Sequence, residues 1–206
     1  MATFYQYPLN LRFKLIALAP RIIVTDATGQ EVLFVNQKIF KLKEDIRIFL
    51  DQSKSQEVFR IGAEKILDFN TRYNFYNSSN DNHLGSVKAK GWRSIWRATY
   101  HVDSPEGEQT HYIKEDNPWV KIMDTLFSEI PFVGIFTGYI FHPSYTCYRG
   151  NNTQDESQPI LTIKKEAGFF EGKYTIEVVD PDISRVEEAR ALLSFMLMVQ
   201  FMRRRG

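Results

Sequence analysis

Residues 191–202 read ALLSFMLMVQFM, and only Ser194 and Gln200 interrupt an apolar run of twelve. The run predicts a helix that extends back to about residue 183 and on to about residue 203. Asp182 or Ser184 can cap its start, and Glu187 and Glu188 fall in the first turn, where the peptide dipoles favour acids. Arg203, Arg204 and Arg205 stand at the other end, where the dipoles favour bases. From Ala191 onward the helix is apolar on every side, so it must be surrounded. The apolar run itself, residues 191–202, is too short to span a bilayer, which takes about 20 residues. A β-rich chain can surround one helix by threading it through a closed barrel.

The rest of the chain supplies the strands. Residues 11–17, 22–25, 31–35, 45–50, 58–67, 73–76, 84–90, 94–102, 109–114, 145–149, 160–164 and 173–179 each read as a short strand. Ile46, Ile48 and Leu50 alternate with Asp45, Arg47 and Phe49, as on a half-buried sheet. Turn signals separate the strands: Asp26 to Gly29, Asn77 to Asn82, Asp103 to Gly107 and Gly150 to Gln158. The reading is a mainly β protein, a closed antiparallel barrel of about 12 strands around a buried hydrophobic C-terminal helix. Pro118 to Phe127 reads as a short surface helix. Pro131 to Phe141 is an apolar run too short to cross a membrane, and its Gly134 and Gly138 are read as turn or core glycines. One domain covers 1–206, with 1–9 an N-terminal extension and 183–203 the central helix.

Composition bounds the function. Of 206 residues, 26 are basic and 25 acidic, so bulk charge argues against a dedicated nucleic-acid binder. Basic residues exceed acidic ones in the first hundred positions and fall short of them in the remainder. The surplus hints at a surface that favours anions. A single cysteine, Cys147, excludes an internal disulfide and a four-thiolate zinc site and suits a reducing cytoplasm. Arg12 and Lys14 interrupt the N-terminal stretch where a signal peptide would be apolar, so that stretch is read as part of the mature fold.

Three hairpins share a loose form: Val24-x-Asp26-x-x-Gly29, Phe75-x-Asn77 before Leu84-Gly85-Ser86-Val87, and Tyr100-x-Val102-Asp103 before Gly107. Each has an aromatic or branched residue, an acid or amide, and a turn glycine ahead of an apolar strand. With Gly172-Lys-Tyr174-Thr-Ile176 and the terminal helix, this pattern resembles the tubby C-terminal-like superfamily, which includes LURP-one-related proteins and phospholipid scramblases. The resemblance covers roughly residues 10–203. Pro8 to Lys14, Arg93 to Tyr100, Asn117 to Trp119 and the final RRRG are similar to a bacterial branch. It implies a 12-stranded barrel around the C-terminal helix, and membrane association rather than catalysis. The acidic calcium loop and cysteine-rich segment of scramblases have no counterpart here. Asp180-Pro-Asp182 is read as a turn and a helix cap.

Basic candidates follow from strand alternation. Lys41 and Lys43 alternate with Phe40 and Leu42, and Lys88 and Lys90 alternate with Val87 and Ala89. Arg93 and Arg97 flank Trp96, with Trp92 beside them. Basic groups next to Trp suit an anionic membrane surface. These six are the expected lipid-binding residues. The expected partner is anionic phospholipid at the inner face of the membrane, with a protein partner as the alternative. No nucleic acid, transmembrane span, metal or cofactor is expected.

Enzyme signatures are thin. His83, His101, His111 and His142 show no close metal-ligand spacing, although His101 and His111 are placed to face each other across a hairpin. His142 and Cys147 lie close enough in sequence for a nucleophile pair, but no third group to orient them is evident. Glycine motifs for phosphate, dinucleotide or a serine nucleophile are missing. The first reading is a non-enzymatic membrane-docking module. The second is a protein-interaction scaffold, and the third an enzyme using His or Cys147.

Overall fold

The computed structural model describes residues 3–14, 21–36, 45–64, 71–90, 99–116, 143–166 and 171–203. Twelve strands follow in chain order: β1 (Leu9–Lys14), β2 (Arg21–Thr25), β3 (Glu31–Asn36), β4 (Asp45–Phe49), β5 (Glu57–Ala63), β6 (Arg72–Asn77), β7 (His83–Lys90), β8 (Thr99–Asp103), β9 (Gln109–Glu115), β10 (Ser144–Arg149), β11 (Pro159–Glu166) and β12 (Glu171–Val178). Each pairs antiparallel with its neighbours in sequence, and β1 closes on β12 with Leu9 opposite Ile176. The sheet is thus a closed up-and-down barrel without free edges. The expected surface helix at 118–127 and the apolar run at 131–141 lie outside the described residues.

Alternation sets which side chains face inward. Leu9, Leu11 and Phe13 in β1, Ile22 and Val24 in β2, Ile46 and Ile48 in β4, and Ile61 in β5 are each at most 5% exposed. Their strand neighbours point to solvent. A one-residue slip would expose this whole set, so the pattern also holds the register. Gly172 stands opposite Phe13, and a Cβ there would lie 2.1 Å from the Phe13 ring.

The hairpin repeat has a physical origin. The register shifts once in β2–β3, β4–β5, β6–β7, β8–β9 and β10–β11, each time beside the connecting turn. Every one of these turns holds a residue at positive φ: Gly29, Lys54, Asp81, Gly107 and Gly150. That is the combination of a turn and a one-residue bulge that closes short hairpins and adds twist. Asx and Ser side chains complete the turns. Asp26 Oδ1 accepts from the N–H of Thr28 (2.9 Å), Asn77 Oδ1 from that of Ser79 (2.9 Å) and Ser104 Oγ from that of Glu106 (3.2 Å).

Helix α1 (Arg185–Arg203) fills the barrel and runs closest to β7, β8 and β11. Every residue from Ala191 to Phe201 is at most 6% exposed, Ser194 and Gln200 included. Ser194 satisfies its hydroxyl by donating to the Arg190 carbonyl at 2.7 Å. Ser184, one of the two expected caps, starts the helix: its Oγ accepts from Glu187 N–H, while Glu187 Oε2 accepts from Ser184 N–H. This is a capping box. Asp180 forms the preceding turn, accepting from the N–H of Asp182 at 2.9 Å.

The segment before β1 is tied down. Glu188, 1% exposed, accepts the N–H of Phe4 at 2.8 Å, and Arg185 lies over the Phe4 ring. Gln6 accepts the N–H of Ala27 from the β2–β3 turn. Among the described residues no helix is long and apolar enough to cross a membrane.

Candidate functional site

Lys88 is the candidate whose surroundings the structure defines. In β7 it stands between Arg72 of β6 and His101 of β8, and His101 in turn faces Tyr112 of β9. Val87 beside it is buried, so alternation turns Lys88 to the outer surface. Arg72 reaches over β7 to Asp103, with Nη2 3.2 Å from Oδ2. Asp103 is 7% exposed. Burial raises its carboxyl pKa above the usual range, against the pull of Arg72, His101 and Lys88 around it. His101 Nδ1 is hydrogen-bonded to Gln109 Oε1. The site is therefore a cross-strand row of two cations and an imidazole, with the buried Asp103 carboxylate among them and exposed Glu64, whose N–H donates to the Arg72 carbonyl, beside Arg72. Such a row attracts anions, and Asp103 weakens the attraction.

The five other expected residues are less defined. Lys90 closes β7 opposite Thr99, and its backbone is described. Lys41, Lys43, Arg93 and Arg97 lie outside the described residues. The strand ends beside them, Asn36 and Asp45, Lys90 and Thr99, all stand at the barrel end away from the helix start, where Arg72 opens β6. Sequence reading missed Arg72, His101 and Asp103 as neighbours of Lys88. Counting residues around the β6–β7 turn could have found Arg72, but the bulge beside Phe75 shifts that count by one.

A second polar cluster sits where α1 enters the barrel. Arg149 Nε donates to Glu187 Oε1 at 2.7 Å, and Arg149 Nη1 pairs with Asp180. His111 Nε2 lies 3.3 Å from the same Glu187 oxygen. Burial alone would raise the Glu187 pKa, but the hydrogen bonds from Arg149 and Ser184 hold it at about 2. Burial lowers the His111 pKa, more than Glu187 raises it. Arg190 Nε donates to the Leu84 carbonyl. Both Glu187 oxygens are thus engaged within the protein, which makes the cluster a fastening between helix and barrel.

The histidine and cysteine expectations resolve geometrically. His101 and His111 do not face each other. His101 is paired with Tyr112 and His111 with Val102, so the one-residue offset sends the imidazoles to opposite sides of the sheet. Cys147 is fully buried against the helix core, and burial pushes its thiol pKa far up, which opposes a nucleophilic role. His142 lies outside the described residues. Among the described residues no group of three or more His, Cys, Asp or Glu is arranged to hold a metal ion.

Comparison with known proteins gives one family: the model for LURP-one-related proteins matches residues 31–129. No curated protein and no solved structure gives a significant match.

Proposed function

Because residues 31–129 belong to the LURP-one-related family, within the tubby-like superfamily, we propose that this barrel is a non-enzymatic module that docks on anionic phospholipid headgroups. The observation that carries the reading is the outward row of Arg72 and Lys88 across β6 and β7. Lys41, Lys43, Lys90, Arg93 and Arg97 are the remaining proposed members of the basic set; in sequence they fall at or between the strand ends Asn36 and Asp45, and Lys90 and Thr99. Attachment is electrostatic and peripheral, on the inner face of the membrane. The filled interior supports the non-enzymatic part: α1 occupies the space in which a barrel of this kind would hold a small substrate.

Magnitudes favour weak, salt-sensitive binding. Each basic residue near an anionic surface contributes about 1 kcal/mol. Lys88→Glu with Lys90→Glu should then lose at least about 2 kcal/mol, roughly thirtyfold in affinity. The test is co-sedimentation with vesicles of phosphatidylcholine alone and with added phosphatidylserine or phosphoinositide, at low and physiological salt. Binding restricted to anionic vesicles, and weakened by salt and by the double reversal, is expected. Failure to bind anionic vesicles at low salt rejects the proposal and turns the search to a protein partner.

A further inference from the structure

The six connections at the helix-entry end of the barrel, residues 26–30, 50–56, 78–82, 104–108, 150–158 and 179–184, are all described. They carry Asp26, Asp51, Asp81, Glu106, Glu108, Asp155, Glu156, Asp180 and Asp182, and the single base Lys54. Strand or helix residues offset part of this. Arg60 pairs with Asp81, Lys114 with Glu156, and Arg149 with Asp180, while Arg185 opens α1. Glu106, Glu108, Asp155 and Asp182 are exposed. Antiparallel topology forces all six connections to one rim, so the acids dispersed along the chain become a ring around the helix start.

Resting on the docking reading above, we infer that the barrel meets an anionic surface in one orientation, with the flank that bears Arg72 and Lys88 toward the lipid and the helix-entry rim facing away. Lys88 is the sixth of eight residues in β7, five positions from His83 at the rim. At about 3.3 Å per residue and a strand tilt near 40°, the axial separation is roughly 13 Å. That exceeds the Debye length of about 8 Å at physiological salt, so the rim does not cancel attraction at Lys88. Turned the other way, the rim would place its exposed carboxylates against lipid phosphates, inside one Debye length. The rim thus excludes an orientation, and the basic row favours the remaining one.

The test uses the full chain with one fluorophore at a time. Glu64→Cys puts the label on the exposed residue after β5, at the end away from the rim, and Gln154→Cys puts it in the exposed β10–β11 connection on the rim. Cys147 is buried and does not compete for label in the folded protein. Vesicles of phosphatidylcholine and phosphatidylserine carry a headgroup quencher, with phosphatidylcholine vesicles as control. Quenching several-fold greater at Glu64→Cys than at Gln154→Cys is expected. Adding Glu106→Lys and Glu108→Lys should bring the two labels toward equal quenching. Equal or reversed quenching with the native rim, or a ratio that the two Lys substitutions leave unchanged, overturns the orientation while docking itself stands. Absence of quenching and of co-sedimentation overturns the docking reading and this inference with it.

Discussion

Arg72 and Asp103 join β6 to β8 across the intervening strand, their side chains 3.2 Å apart, with Lys88 in the strand they bridge. Asp103 is the buried carboxylate set among the groups of the outward basic row, and burial already disfavours its charge. Asp103→Asn is expected to keep an acceptor for Arg72 and to remove one negative charge. Affinity for anionic vesicles should rise about fivefold, the equivalent of about 1 kcal/mol, with stability changed by less than about 1 kcal/mol. Vesicle co-sedimentation and urea unfolding check both numbers. Weaker binding would mean that Asp103 organises the row instead of opposing it.

Glu188→Ala should free the segment before β1. The carboxylate of Glu188 accepts the N–H of Phe4 from the far end of the chain, and loss of a charged acceptor from a buried site costs about 1–3 kcal/mol. Hydrogen exchange at Phe4 and Tyr5 should speed up markedly, while Glu188→Gln retains much of the protection. Unchanged exchange in the alanine variant would show that packing of Tyr5 and Tyr7 alone holds the segment.

Acid should loosen the helix fastening in two stages. His111 has a lowered pKa in the fold, so the unfolded chain takes up the proton first, and stability falls as pH drops below about 6.5. Glu187 is held at about 2, from an ordinary value of 4.5. Its contribution is complete above about pH 4.5 and is lost as pH falls toward 2. Thermal melts from pH 8 to pH 3 should decline in both windows, and His111→Gln should remove the upper one. A melting temperature flat between pH 7 and pH 5 would contradict the His111 assignment.

Gly85→Ala is expected to be among the most damaging single substitutions. Gly85 has φ +129°, and a Cβ there would sit 2.2 Å from the Asp103 carbonyl oxygen, which is backbone and has little room to move. Strain and overpacking together should cost more than about 3 kcal/mol. Denaturant unfolding reads this directly, and a loss below about 1 kcal/mol would mean that β7 and β8 can separate locally.

The barrel was legible because its logic is local. Alternation in stretches such as Asp45 to Phe49 marks one strand at a time, and the all-round apolar helix at 191–202 requires a sheath. Each of the twelve expected strands meets a strand of the barrel; β1 begins two residues earlier than expected, at Leu9, while expected strand residues 15–17, 65–67 and 94–98 lie outside the described residues. The site was far less legible. Which cation meets which carboxylate depends on register between strands, and five bulges shift that register. His101 and His111 illustrate the problem: their spacing across the Asp103 to Gly107 turn suggests a facing pair, but the register places them on opposite sides of the sheet. Glu187 and Glu188 were readable as dipole partners. Their bonds to Arg149 and Phe4 belong to tertiary structure, and no sequence spacing encodes them.

The order in which the chain is made gives the closing pair a further meaning. Leu9 meets Ile176, and the core that both strands enclose is α1, residues 185–203. During synthesis the first eleven strands leave the ribosome before either their last partner or their filling exists. Their inward faces, rich in Leu, Ile, Val and aromatic side chains, must stay exposed for most of translation. Pairing at such long sequence separation is slow, and exposed strand edges aggregate. Yield in the cell should therefore depend on chaperone capacity more steeply than the stability of the finished barrel would suggest.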